Sequence, residues 1–186
     1  MKFLALLTFY LFFSLVSLSQ TTDHKLGDNF IVWKEGLKLK WEDFQGQPDI
    51  HYTENPRIVA MTYSLTRMSN DNKKIKILVV FEKNKSYKTK AILKPEIFVS
   101  GLIHEQIHFD ISELFGRKLR KKITQKEKDS NVWLIFDQIG DEEDIFQEEY
   151  DNSTDFGRNP KIQAIWVEKI KNLLAEYAEW VDKSNN

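Results

Sequence analysis

Cysteine is absent from all 186 residues of this chain. That excludes disulfides, thiolate metal sites, a cysteine nucleophile and lipid attachment through a thiol. A domain of this length folds without covalent staples, so the absence is compatible with export to an oxidising compartment. A surplus of one charge is also missing. The 27 basic and 28 acidic residues leave a net charge of -1, which gives no electrostatic case for a nucleic-acid partner. Internal repeats and low-complexity segments are lacking. Histidine is scarce, with 4 in the chain, and this makes the placement of two of them informative.

His104 and His108 fall in the run Gly101-Leu102-Ile103-His104-Glu105-Gln106-Ile107-His108-Phe109-Asp110, a His-Glu-x-x-His pattern. An α-helix turns about 100° per residue, so positions i and i+4 stand on one face. Two imidazoles so placed can reach one metal ion. Glu105 beside them can serve as general base towards a metal-bound water. The surrounding sequence supports a helix. Pro95-Glu96 suits a helix start. Val99, Leu102, Ile103, Ile107, Ile111, Leu114, Phe115 and Leu119 recur at helical spacing. Arg117, Lys118, Arg120, Lys121 and Lys122 gather where the helix dipole favours cations and read as a solvated helix end.

The N-terminus differs in kind. Lys2 precedes an apolar run from Phe3 to Val16, followed by Ser17-Leu18-Ser19-Gln20. This predicts a signal peptide over residues 1–19 and a single exported domain over 20–186, periplasmic or secreted. The competing expectation is a membrane anchor through residues 3–19 that is never cleaved.

Between these landmarks, Phe30–Trp33 and Leu37–Trp41 read as short strands. Arg57–Met68 and Lys74–Glu82 alternate and form an expected hairpin, with turn residues between them. Lys88–Leu93 adds a possible edge strand that can hold an extended peptide. Beyond Pro95 the period becomes helical. A second helix runs through Trp133, Phe136, Ile139 and Tyr150, interrupted near Gly140. Asn159-Pro160 then opens a third, through Trp166 to Trp180. Strands first and helices after predict an α+β domain with one core. His24 and His51 read as solvated loop side chains.

A catalytic zinc generally takes three protein ligands. No histidine follows His108. Asp110 and Glu113 point away from the histidine face and read as structural. The segment Tyr150-Asp151-Asn152-Ser153-Thr154-Asp155-Phe156-Gly157 reads as a loop between the last two helices. Asp155 is the first choice for third ligand and Asp151 the other. The competing role for both is capping. Tyr150 reads as a core aromatic before an oxyanion donor.

The run His104-Glu105-Gln106-Ile107-His108-Phe109-Asp110-Ile111 resembles a bacterial family of predicted secreted zinc-dependent proteases. Leu39-Lys40-Trp41-Glu42-Asp43-Phe44-Gln45-Gly46 is similar to that family's early Trp-x-Asp-Phe-x-Gly signature. Glu113 and Arg117-Lys118-Leu119 resemble its helix continuation, and Tyr150 to Gly157 its closing Tyr-Asp-x-x-Thr-x-His-Gly block. The resemblance implies a zincin-like fold, zinc ligands His104 and His108, and catalytic Glu105. It departs at Phe156, where the family pattern has histidine. The expectation is a secreted zinc peptidase holding one Zn2+ and acting on a peptide or protein. The alternative is a catalytically impaired zincin-like binding or scaffold protein of the cell envelope. Neither reading involves nucleic acid, nor a membrane once the leader is cleaved.

Overall fold

The computed structural model describes residues 26–48, 58–71, 74–127 and 130–183. The expected leader at 1–19, His24 and His51 lie outside them. Among the described residues five strands come first: β1 (Phe30–Val32), β2 (Ala60–Met61), β3 (Ser64–Asp71), β4 (Lys74–Glu82) and β5 (Tyr87–Lys88). Three helices follow: α1 (Pro95–Gln125), α2 (Val132–Thr154) and α3 (Pro160–Glu176). The architecture is α+β, a small antiparallel sheet followed by three helices.

The alternating residues between Lys74 and Glu82 make β4 the central strand. It pairs antiparallel with β1 and β3, in the order β1-β4-β3. The expected hairpin forms, with Ser64 opposite Phe81 and Asp71 opposite Lys74. Its two strands then continue into the separate pair β2–β5.

Helix α1 packs between two apolar layers. Phe109 joins Trp41, Phe44, Val79 and Phe81 on the sheet side. Ile107, Ile111, Leu114 and Phe115 join Ile139, Tyr150, Trp166 and Ile170 on the other. Such two-sided burial explains a helix apolar around most of its circumference. The sheet comes close enough that a Cβ on Gly116 would lie 2.4 Å from Val79 Cγ2, so only glycine fits there.

Several sequence expectations need correction. Leu37–Trp41 is not a strand, because its polar groups bond to α1 instead of a neighbouring strand. Leu39 N–H donates to Gln106 Oε1 at 2.8 Å, and Trp41 Nε1 to the Phe98 carbonyl at 3.0 Å. Residues Trp41–Asp43 form one 3-10 turn. The expected strand Lys88–Leu93 stops at Lys88, where the Thr89 hydroxyl caps a 3-10 turn over Lys90–Leu93. Helix α2 runs unbroken through Gly140. One mid-helix glycine costs only about 1 kcal/mol, less than the packing of the surrounding turns supplies. The basic end of α1 is not wholly solvated either. Arg117 and Arg120 turn inward onto Glu113, at 2.9 and 3.0 Å, and donate to the Leu174 and Trp180 carbonyls. Asn159 caps α3 with Pro160 in its first turn. No described helix is long and apolar enough to cross a membrane.

Candidate metal centre

His104, Glu105 and His108 stand midway along α1, and all three side chains are largely buried. Helix α2 brings Asp151 against them. Asp151 Oδ1 lies 3.1 Å from His104 Nε2 and 3.0 Å from His108 Nε2, and the two Nε2 atoms are 3.1 Å apart. Three donor atoms therefore form a nearly equilateral triangle. Tetrahedral zinc, with bonds of about 2.0–2.1 Å, spaces its ligand atoms about 3.3 Å apart. The set fits zinc in both chemistry and spacing, and among the described residues it is the one group of this kind.

The structure brings Asp151, not Asp155, to the two histidines. The cause is where α2 ends. Residues Tyr150–Thr154, expected as loop, form its last turn, and this projects Asp151 towards α1. Asp155 is the helix C-cap in the left-handed region (φ 53°), its carboxylate 53% exposed and paired with Arg158 at 2.9 Å. Phe156 follows, also left-handed at φ 55°. Gly157 completes the turn at φ 76°, close beneath His104, where a Cβ would lie 2.9 Å from the imidazole Cγ.

Gln147 enters the site without having been anticipated. Its Oε1 accepts from His108 Nδ1 at 2.6 Å, while its NH2 donates to the His108 carbonyl at 3.1 Å. The Nδ1 proton is thus engaged, and a neutral His108 turns its Nε2 lone pair towards Asp151 and His104. This is how an outer hydrogen bond orients a metal-binding imidazole. The sequence held a signal for it. Gln147 lies four residues before Asp151, on the same helical face, but reading 150–157 as loop concealed that spacing.

Burial alone would lower the His108 pKa. The adjacent Asp151 carboxylate outweighs it, with help from Glu105 and Gln147, and the value rises to about 9. Burial would raise Asp151, but the charge on His108 and hydrogen bonds from both imidazoles hold it well below its ordinary range. Without metal the pair is an ion pair at neutral pH. Tyr150 is fully buried, with its ring stacked 4.7 Å from that of His104. Burial, followed by the charges of Glu105 and Asp151, pushes its phenol far above the usual range, so it stays neutral. It packs as a core aromatic.

Glu105 is 3% exposed, and its Oε2 has no hydrogen-bond partner among the described residues. Thr62 Oγ1 donates to the Glu105 backbone carbonyl, not to the carboxylate. Asp110 and Glu113 do not join the centre. Asp110 accepts from Trp33 Nε1 at 2.8 Å and Gln106 Nε2 at 3.0 Å, while Glu113 holds Arg117 and Arg120. No protein-family model matches the chain, and no curated protein or solved structure is detectably similar to it.

Proposed function

We propose that this protein is an exported zinc-dependent peptidase of zincin type, with His104, His108 and Asp151 holding the ion and Glu105 as general base. The observation that carries the reading is the buried Glu105 carboxylate, one oxygen unpartnered, one residue from His104 in the converging triad. A buried carboxylate oxygen without a protein partner is expensive for a fold to keep, and such atoms concentrate where chemistry needs them.

Zinc, when bound, supplies Lewis acidity that polarises a scissile carbonyl and makes an attacking water more acidic. Glu105 takes the proton of that water as its oxygen bonds to the carbonyl carbon. The same carboxyl then gives the proton to the amine that leaves when the carbon–nitrogen bond breaks. Gln147 keeps the His108 ring in register throughout. The export part of the proposal rests on the leader-like residues 1–19.

Elemental mass spectrometry on the purified chain from Gln20 to Asn186, without added metal, tests the ligand set. About one zinc per chain, lost in His104→Ala, is expected for a three-ligand site. Peptide hydrolysis should disappear in Glu105→Gln while zinc content stays at the wild-type level. A wild-type chain with no zinc and no thermal shift on adding zinc would sink the proposal. The departure at Phe156 would then favour the binding or scaffold reading.

A further inference from the structure

We infer that Gln163 positions His104 as Gln147 positions His108, so that two glutamines from different helices set both imidazole tautomers at the centre. The inference rests on the metal reading above and names residues that reading does not require.

His104 turns its Nε2 towards Asp151 and His108, at 3.1 Å from each. The ring proton of a neutral, metal-binding His104 therefore belongs on Nδ1. That Nδ1 is buried without a hydrogen-bond partner among the described residues, and so is Gln163 Oε1. Gln163 is itself 4% exposed. Its NH2 donates to the Ser100 carbonyl at 2.9 Å, which fixes which end of the amide is the acceptor. The His104 ring and Gln163 Oε1 both approach Gly157. A Cβ on Gly157 would lie 2.9 Å from His104 Cγ and 3.1 Å from Gln163 Oε1, so glycine keeps the gap between them open.

A buried donor and a buried acceptor are both satisfied by pairing. A rotation of the Gln163 amide or one bridging water would achieve it. The same arrangement already exists on the neighbouring ring, where Gln147 Oε1 accepts a hydrogen bond from His108 Nδ1. Helix α2 thus supplies one glutamine and α3 the other.

Zinc affinity by chelator competition is the test, on wild type, Gln163→Leu and Gln163→Glu, with thermal melts of the metal-free proteins as a fold control. Gln163→Leu keeps the bulk and removes the acceptor, and should weaken zinc binding about 10- to 100-fold. Gln163→Glu keeps the acceptor but loses the donor to the Ser100 carbonyl, and should bind zinc more tightly than Gln163→Leu. NMR of the ring nitrogens in zinc-loaded wild type should show His104 protonated at Nδ1, a readout that survives if the leucine variant fails to fold. Equal affinity in wild type and folded Gln163→Leu, or coordination through Nδ1, overturns the inference alone. A wild type that takes up no zinc overturns the peptidase proposal with it.

Discussion

Replacing Asp151 with asparagine keeps the side chain's shape and removes its charge, and the consequences depend on pH in a definite way. In the metal-free protein the carboxylate lies about equally close to both histidines, at 3.1 and 3.0 Å. His108 is raised from 6.5 to about 9. Its contribution to stability is therefore fully present below pH 6.5 and is lost as pH climbs through about 9. Asp151 is depressed below 3.8. Its contribution is present above that value and is lost as pH falls through the lower folded value. The pair accordingly stabilises the fold between about pH 4 and pH 9. The rise at His108 corresponds to about 3 kcal/mol, counted once because both shifts describe the same interaction. Solvent reaches Asp151, so about 2 kcal/mol is the working figure. Urea denaturation of chelator-treated wild type and Asp151→Asn should show that loss near pH 6 and roughly 60% of it near pH 7.5. Near pH 10 it should shrink below about 1 kcal/mol. Asp155→Ala should change stability by less than about 1 kcal/mol, because the pair it loses with Arg158 is exposed. A difference that is the same at every pH, or absent near pH 6, would refute the ion-pair reasoning.

Two further outcomes follow from the same geometry. Gly157→Ala places a Cβ 2.9 Å from His104 Cγ in a left-handed backbone. It should destabilise the fold by about 2–3 kcal/mol and weaken zinc binding at least about tenfold, and an unchanged melting temperature with unchanged zinc affinity would count against the placement of His104. Burial, against a hydrogen bond from Ser112 and with the charge of Asp144, lifts Glu143 from 4.5 to about 7. The folded state thus prefers the protonated acid, and stability declines as pH rises from about 4.5 to about 7. Glu143→Gln should remove that slope and gain up to about 3 kcal/mol at pH 8, as read by melts across pH, whereas a slope equal to wild type would contradict it.

The residues legible in the sequence are those governed by local period. The spacing of His104, Glu105 and His108 needs only a helix, and the apolar repeat from Val99 to Leu119 guarantees one. The hairpin of β3 and β4, the helices to either side of the Asn159-Pro160 cap, and the α+β order follow from alternation, helical repeat and capping chemistry in the same way. Leu37–Trp41 shows the limit. Its alternation is real, but Gln106 and the Phe98 carbonyl bind its backbone and indole, so burial against α1 replaces strand pairing. Arg117 and Arg120 show it too, because a distant pair of carbonyls and Glu113 draw inward what the local pattern sends to solvent.

What the sequence alone determined is the chemistry on one helix: two imidazoles and a carboxylate on neighbouring positions, in a chain with no thiol to compete. Only the tertiary structure decided what completes it. Whether Asp151 or Asp155 faces the histidines depends on a single turn, since α2 continues to Thr154 and a left-handed cap sends Asp155 outward. Gln147, Gln163 and Gly157 matter because α2, α3 and the turn between them meet α1 at van der Waals distance. No local repeat encodes such meetings. They are set by how three helices pack around Tyr150 and Trp166, and packing is a property of the whole chain.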